Sequence, residues 1–162
     1  MTKKFDSVQF CFSKGLGAPV GSMIVGTRDF IERCRSIRKM LGGGMRQAGV
    51  LAAAALLALE NGPTRLQEDH DNAKVLAERL SQVPGITLNP SKVQTNIVIF
   101  GVKDSGMSSA EFLQRLSGLN VLAVPVDAER IRMVTHLDVA RSDIEAAAAA
   151  VRSVMTSAAM PA

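Results

Sequence analysis

Apolar and polar residues alternate over residues 7–12, where Val8, Phe10 and Phe12 are separated by Gln9 and Cys11. A period of two predicts a strand. A glycine-rich stretch follows, and residues 22–25 read as a second short strand. The period then lengthens. Thr27 can cap a helix whose expected buried stripe is Phe30, Ile31, Cys34 and Ile37, and Gly42-Gly43-Gly44 stops it. Residues 45–60 predict a further helix that is apolar on nearly every side, so it needs cover from several directions. Asn61-Gly62-Pro63 punctuates the chain there.

Thr64-Arg65-Leu66-Gln67 has the form of a capping box, opening a helix to about residue 82 that buries Leu66, Ala73, Leu76, Leu80 and Val83. Residues 95–102 predict a strand. Ser108 with Glu111 forms a second capping box, ahead of a helix burying Phe112, Leu113 and Leu116. Residues 121–124 and 131–135 read as short strands. Ser142 with Glu145 gives a third box before the last helix, marked by Ile144, Val151, Val154 and Met155. This succession in the final third predicts a small α/β layer with helices on one face.

Composition narrows the class. The 162 residues, 47% hydrophobic and 21% charged, suit a globular chain and exclude disorder and low complexity. The longest near-apolar run, residues 48–59, is shorter than the ~20 residues of a membrane span. Thr2, Lys3 and Lys4 lead directly into Phe5 and Asp6, so no secretory leader is expected. Two cysteines, Cys11 and Cys34, fit a reducing compartment, and a cytoplasmic protein is the expectation.

The net charge of +4 is local: residues 28–46 hold six basic and two acidic side chains, and the remainder balances. With six aromatics, all Phe, there is little for bases to stack on. A small anion such as phosphate suits so short a basic zone better than nucleic acid does. A solvated helix face would carry the same charges.

Chemistry concentrates in Ser13-Lys14-Gly15-Leu16-Gly17-Ala18-Pro19-Val20-Gly21, directly after the first strand. A lysine in such a turn is placed to form a Schiff base, with room for a planar cofactor. The same spacing fits an ordinary surface lysine beside a tight turn. Neither phosphate-loop pattern is met, since Lys14 precedes the glycines and the next element is a strand. His70 sits on its helix's apolar stripe and His136 ends a strand, and both read as structural; Cys11 reads as a small buried hydrophobe. No cluster has metal-ligand spacing.

The segment from Cys11 to Ser22 resembles the cofactor-lysine segment of the low-specificity L-threonine aldolases. Further matches follow in the same order: Arg38-Lys39-Met40, Gly42-Gly43-Gly44-Met45-Arg46-Gln47, Leu66-Gln67-Glu68-Asp69-His70-Asp71-Asn72-Ala73, Thr95-Asn96, and Arg132-Met133-Val134-Thr135-His136-Leu137-Asp138-Val139. The resemblance covers essentially the whole chain. It implies the α/β architecture of a fold-type-I pyridoxal-phosphate enzyme, C-terminal portion only: residues 1–60 as the tail of the large cofactor domain and residues 61–162 as a small α/β domain. It implies a homo-oligomer, dimer or tetramer, that binds neither nucleic acid nor membrane.

By the same resemblance Lys14 holds pyridoxal 5'-phosphate, Arg46 and Lys39 lie near its phosphate, and Arg132 grips the substrate α-carboxylate. The implied reaction cleaves a β-hydroxy-α-amino acid, L-threonine or L-allo-threonine, to glycine and acetaldehyde. The family's partners for the pyridine ring lie upstream of the matched part, and Asp6 and Asp138 do not match them. By itself this chain is therefore expected to be an incomplete and inactive portion. The alternatives are a non-catalytic interaction fragment, or another enzyme of this fold type such as a serine hydroxymethyltransferase or β-eliminating lyase.

Overall fold

The computed structural model describes residues 4–158, so Thr2 and Lys3 of the leader reading lie outside the described residues. The chain divides into two compact units, Met1–Leu66 and Gln67–Ala162.

In the first unit, β1 (Ser7–Cys11) and β2 (Ser22–Gly26) form an antiparallel hairpin with Phe10 opposite Met23 and Cys11 opposite Ser22. Next comes α1 (Arg28–Met40), where the Thr27 hydroxyl accepts from the Phe30 N–H as expected of its cap. The helix ends in a paired bond set: Gly43 N–H donates to Arg38 O and Gly42 N–H to Lys39 O. That closure needs a left-handed residue, and Gly42 supplies it at φ 83°. The expected buried stripe of α1 is not buried. Phe30, Ile31 and Cys34 are half-buried and Ile37 is exposed, because one hairpin cannot cover the helix.

The helix expected to stop near residue 60 does not stop. It begins at Gly49 rather than residue 45 and runs unbroken as α2 (Gly49–Ser81), with Pro63 inside. Proline removes one N–H from the ladder, and neighbouring side chains bond carbonyls of the same turns: Asn61 Nδ2 donates to Leu57 O and the Thr64 hydroxyl to Asn61 O. The Thr64 hydroxyl thus caps no new helix, and Gln67 turns its amide to Asp71 instead.

In the second unit, β3 (Ile97–Gly101), β4 (Val124–Pro125) and β5 (Arg130–Val134) form an antiparallel sheet in the order β3-β5-β4. Alternation sorts its faces. Val98, Phe100, Ile131 and Met133 are buried, whereas Ile97, Ile99, Arg130, Arg132 and Val134 point the other way. The buried face joins one core with Ala73, Leu76 and Leu80 of α2, Phe112 and Leu116 of α3 (Ser109–Ser117), and Ile144, Val151 and Val154 of α4 (Arg141–Ala158). The helices lie on one face, as expected. Phe100 meets Phe112 edge-on, ring centroids 6.0 Å apart.

The Ser108 cap forms, its hydroxyl accepting from the Glu111 N–H. Two expectations shift. Val121 N–H still bonds Leu116 O, wrapping the end of α3, so β4 starts only at Val124. Ser142 lies inside α4, and the Asp143 carboxylate accepts from the Ala140 N–H, so the helix begins before the expected cap. Among the described residues no helix is long and apolar enough to cross a membrane.

Candidate active site

Lys14 is exposed in the ten-residue turn between β1 and β2. The turn is closed from within: Phe12 N–H donates to Gly21 O, Ala18 N–H to Phe12 O and Gly17 N–H to Lys14 O. It is also seated on α2. Phe12 and Ala18 bury themselves against Ala58, with Phe10, Leu16 and Ala55 around them. A Cβ on Gly62 would come within 2.8 Å of Leu16 Cδ2, and one on Gly15 within 2.8 Å of Leu66 Cδ2. Arg65 Nη2 donates to Gly15 O at 3.0 Å. Arg65 is a contributor the sequence reading passed over, because its segment looked like a helix start.

Cys11 is held beside this turn, with its sulfur 3.2 Å from the Ser13 hydroxyl and 3.6 Å from Gly21 O. Hydrogen bonds from Ser13 and Ser22, aided by the charge of Lys14, keep the thiol below its ordinary pKa. It is half-buried.

Lys39 lies in the last turn of α1, exposed. Arg46 is exposed in the loop before α2, three residues ahead of the first helical residue rather than at the helix start. No hydrogen bond or ion pair joins Lys14, Lys39 and Arg46 among the described residues, so as side chains they share a unit but are not in contact. An open cavity of this unit, about 560 Å³, is lined instead by Phe12, Ser22, Arg38, Met45 and Leu51 among others. Arg38, which in the sequence belongs to the basic cluster and to the Arg38-Lys39-Met40 match but is given no role, is the one cation among the described residues that line it.

Arg132 belongs to the second unit. It occupies the middle strand on the sheet's exposed face, opposite Ile99 on one side and Val124 on the other. Arg130 shares that face and is already engaged. Its Nε donates to Asp127 Oδ2 at 2.6 Å, while Glu129 and Arg130 N–H groups donate to Oδ1. These bonds hold the Asp127 carboxyl below the usual carboxylate range. Arg132 has no partner among the described residues, leaving its fork of donors on an apolar sheet face.

The end of β5 is fixed tightly. The hydroxyl of Thr135, 1% exposed, donates to Asp69 O at 2.7 Å, and Asn96 Nδ2 donates to Thr135 O at 2.9 Å. His70 is half-buried on α2. His136 is exposed and accepts from the Asp138 N–H at its Nδ1. Among the described residues no group of three His, Cys, Asp or Glu side chains could hold a metal ion.

The Beta-eliminating lyase family matches residues 1–103. Low-specificity L-threonine aldolase 1 of Arabidopsis thaliana is 48% identical over 145 residues, 89% of this chain and 40% of that protein. Low specificity L-threonine aldolase of Escherichia coli strain K12 is 42% identical over 149 residues, 92% of this chain and 43% of that protein. This chain thus spans about 40% of the length of these relatives. A crystal structure of a putative L-allo-threonine aldolase from Listeria monocytogenes aligns over 93% of this chain and 45% of its own, with TM-score 0.72 and 20% identity. That likeness carries the fold, the α/β arrangement expected from the sequence. With the family match running over more than half of its residues, the chain belongs to the beta-eliminating lyase family.

Proposed function

We propose that this chain carries the cofactor lysine and the carboxylate-binding arginine of a pyridoxal-phosphate-dependent aldolase that cleaves L-threonine or L-allo-threonine to glycine and acetaldehyde. The observation that carries the reading is the contrast on the open sheet face. Arg130 is tied to Asp127 through its Nε, whereas Arg132 at the sheet centre has no partner among the described residues and offers its donors to a ligand carboxylate. The residues present fit the cofactor in part. The exposed Lys14 amine can bond the cofactor aldehyde covalently. Lys39 and Arg46, both exposed and without carboxylate partners among the described residues, serve its phosphate.

When bound, pyridoxal phosphate supplies an electron-withdrawing ring for the charge left at Cα as the Cα–Cβ bond breaks. Arg132 binds the α-carboxylate through two parallel N–H donors, which fixes the rotation of the amino acid. A carboxylate for the ring nitrogen and a base for the β-hydroxyl are expected from polypeptide beyond the matched 40% of the relatives. In this reading residues 1–60 are the tail of a large cofactor domain and residues 61–162 a small domain. The protein is cytoplasmic, works as a dimer or tetramer, and serves threonine breakdown and glycine formation. The apolar side chains exposed on the first unit favour a second role for this chain by itself, an inactive module that pairs with further polypeptide.

The test is a product assay on the whole protein that contains this chain. L-threonine should yield equal amounts of glycine and acetaldehyde, and Lys14→Ala should abolish both. Release of ammonia and a keto acid without acetaldehyde would overturn the aldolase reading.

A further inference from the structure

The segment that imitates a capping box does not start a helix, and two of its side chains, Arg65 and Leu66, meet the Lys14 turn. We infer that Arg65 is the positioning residue for Lys14, acting with Gly62 as a clamp on the turn that presents the amine. This rests on the reading of Lys14 as the cofactor lysine.

Gly62, Arg65 and Leu66 are three and four residues apart on α2, hence on one face of it. That face meets the two residues that follow Lys14. Arg65 Nη2 donates to Gly15 O at 3.0 Å, so the guanidinium fixes the peptide plane immediately after the Lys14–Gly15 bond. Leu66 Cδ2 occupies the volume a Gly15 Cβ would need, 2.8 Å away, and Leu16 occupies that of a Gly62 Cβ. Phe12 and Ala18 pin the flanks of the turn on Ala58, one turn earlier along the helix.

The Lys14 amine makes no hydrogen bond among the described residues, and its side chain has four rotatable carbons. The direction of its amine is therefore set by where the turn holds its Cα. Attack on an aldehyde depends steeply on approach geometry, and a displacement of ~1 Å can cost up to ~100-fold in rate. A charged donor aimed at a neutral carbonyl beside the lysine is a means of holding that geometry, and hydrophobic packing of the turn alone would not need it.

The experiment measures the rate at which the whole apo-protein takes up pyridoxal phosphate, followed by visible absorbance and by borohydride trapping with peptide mapping. Arg65→Met keeps the stem and removes the donors; loading at Lys14 is expected to slow tenfold or more, with the unfolding midpoint of the apo-protein shifted little. Arg65→Lys restores one donor and should recover part of the rate. Gly62→Ala lifts Leu16 off the helix with Arg65 intact, and should slow loading as well. Wild-type loading rates in Arg65→Met overturn the clamp. Should Arg65→Met fail to fold, wild-type loading in folded Gly62→Ala overturns it instead. Cofactor trapped on a lysine other than Lys14 in the wild type defeats the Lys14 reading first, so the two failures are distinguishable.

Discussion

Thr135→Val should weaken the second unit measurably, and the structure says by how much. The side chain is 1% exposed, and valine fills nearly the same volume, so little changes but the hydroxyl. That hydroxyl donates to Asp69 O at 2.7 Å and lies 3.4 Å from Asn96 O. A net intramolecular hydrogen bond is worth about 1 kcal/mol, and a buried carbonyl left unpaired costs about 1–3 kcal/mol. Asp69 O lies in α2, where the backbone N–H four residues on remains available, so the larger penalty is mostly avoided. The expected loss is about 1–2 kcal/mol, or roughly 4–15 °C in melting temperature for a unit of this size. Urea unfolding followed by circular dichroism should show a lower midpoint with an unchanged slope. A change below about 0.3 kcal/mol would mean that the hydroxyl does not join β5 to α2, and with it would go the account of how the Arg132 strand is fixed.

Arg132→Lys keeps the charge and loses the planar fork; two charge-assisted bonds reduced to one predict a fall in kcat/KM for threonine of roughly 10- to 150-fold, with cofactor content unchanged. Equal kinetics in variant and wild type would remove Arg132 from the site. Cys11 should alkylate with a pH midpoint below that of an ordinary thiol, since a lowered pKa gives more thiolate at neutral pH, and Ser13→Ala should move the midpoint up; iodoacetamide labelling read by mass spectrometry would show a midpoint at or above the ordinary value if the hydrogen bonds are absent. The 162-residue chain by itself should self-associate, because Val50, Leu56 and Leu57 of α2 and Val25 of β2 are each more than half exposed; a monodisperse, active monomer of 17.2 kDa in light scattering would refute this.

What the sequence made legible was local. Thr27 and Ser108 cap their helices because a cap bond spans three residues and nothing distant competes. The strands expected over residues 95–102 and 131–135 form as β3 and β5, and the pleat itself sorts their side chains between the two faces. The errors fell where a local signal met a stronger one. Asn61-Gly62-Pro63 has the composition of a turn, yet Gly62 is there to let Leu16 approach, and side chains bond carbonyls around Pro63. Ser142 fits a cap, but the Asp143 carboxylate reaches the Ala140 N–H from inside the helix. In the candidate site, motifs that resemble a family single out Lys14 and Arg132 as candidates. They give Arg65 and Arg38 no role. Arg65 acts on a carbonyl fifty residues away, and Arg38 owes its interest to a cavity that exists only once the hairpin and α2 are packed. That Arg130 has a carboxylate partner, and Arg132 none among the described residues, could be learned only from the loop that delivers Asp127.

Lys14 is proposed as the residue to which the cofactor attaches. Its most direct test is reduction of the whole pyridoxal-phosphate-loaded protein with borohydride, followed by digestion and mass mapping. A single phosphopyridoxyl group on Lys14 is expected, lost along with the visible absorbance in Lys14→Ala. A phosphopyridoxyl group on any other lysine, or a Lys14→Ala protein that still carries one, would contradict it.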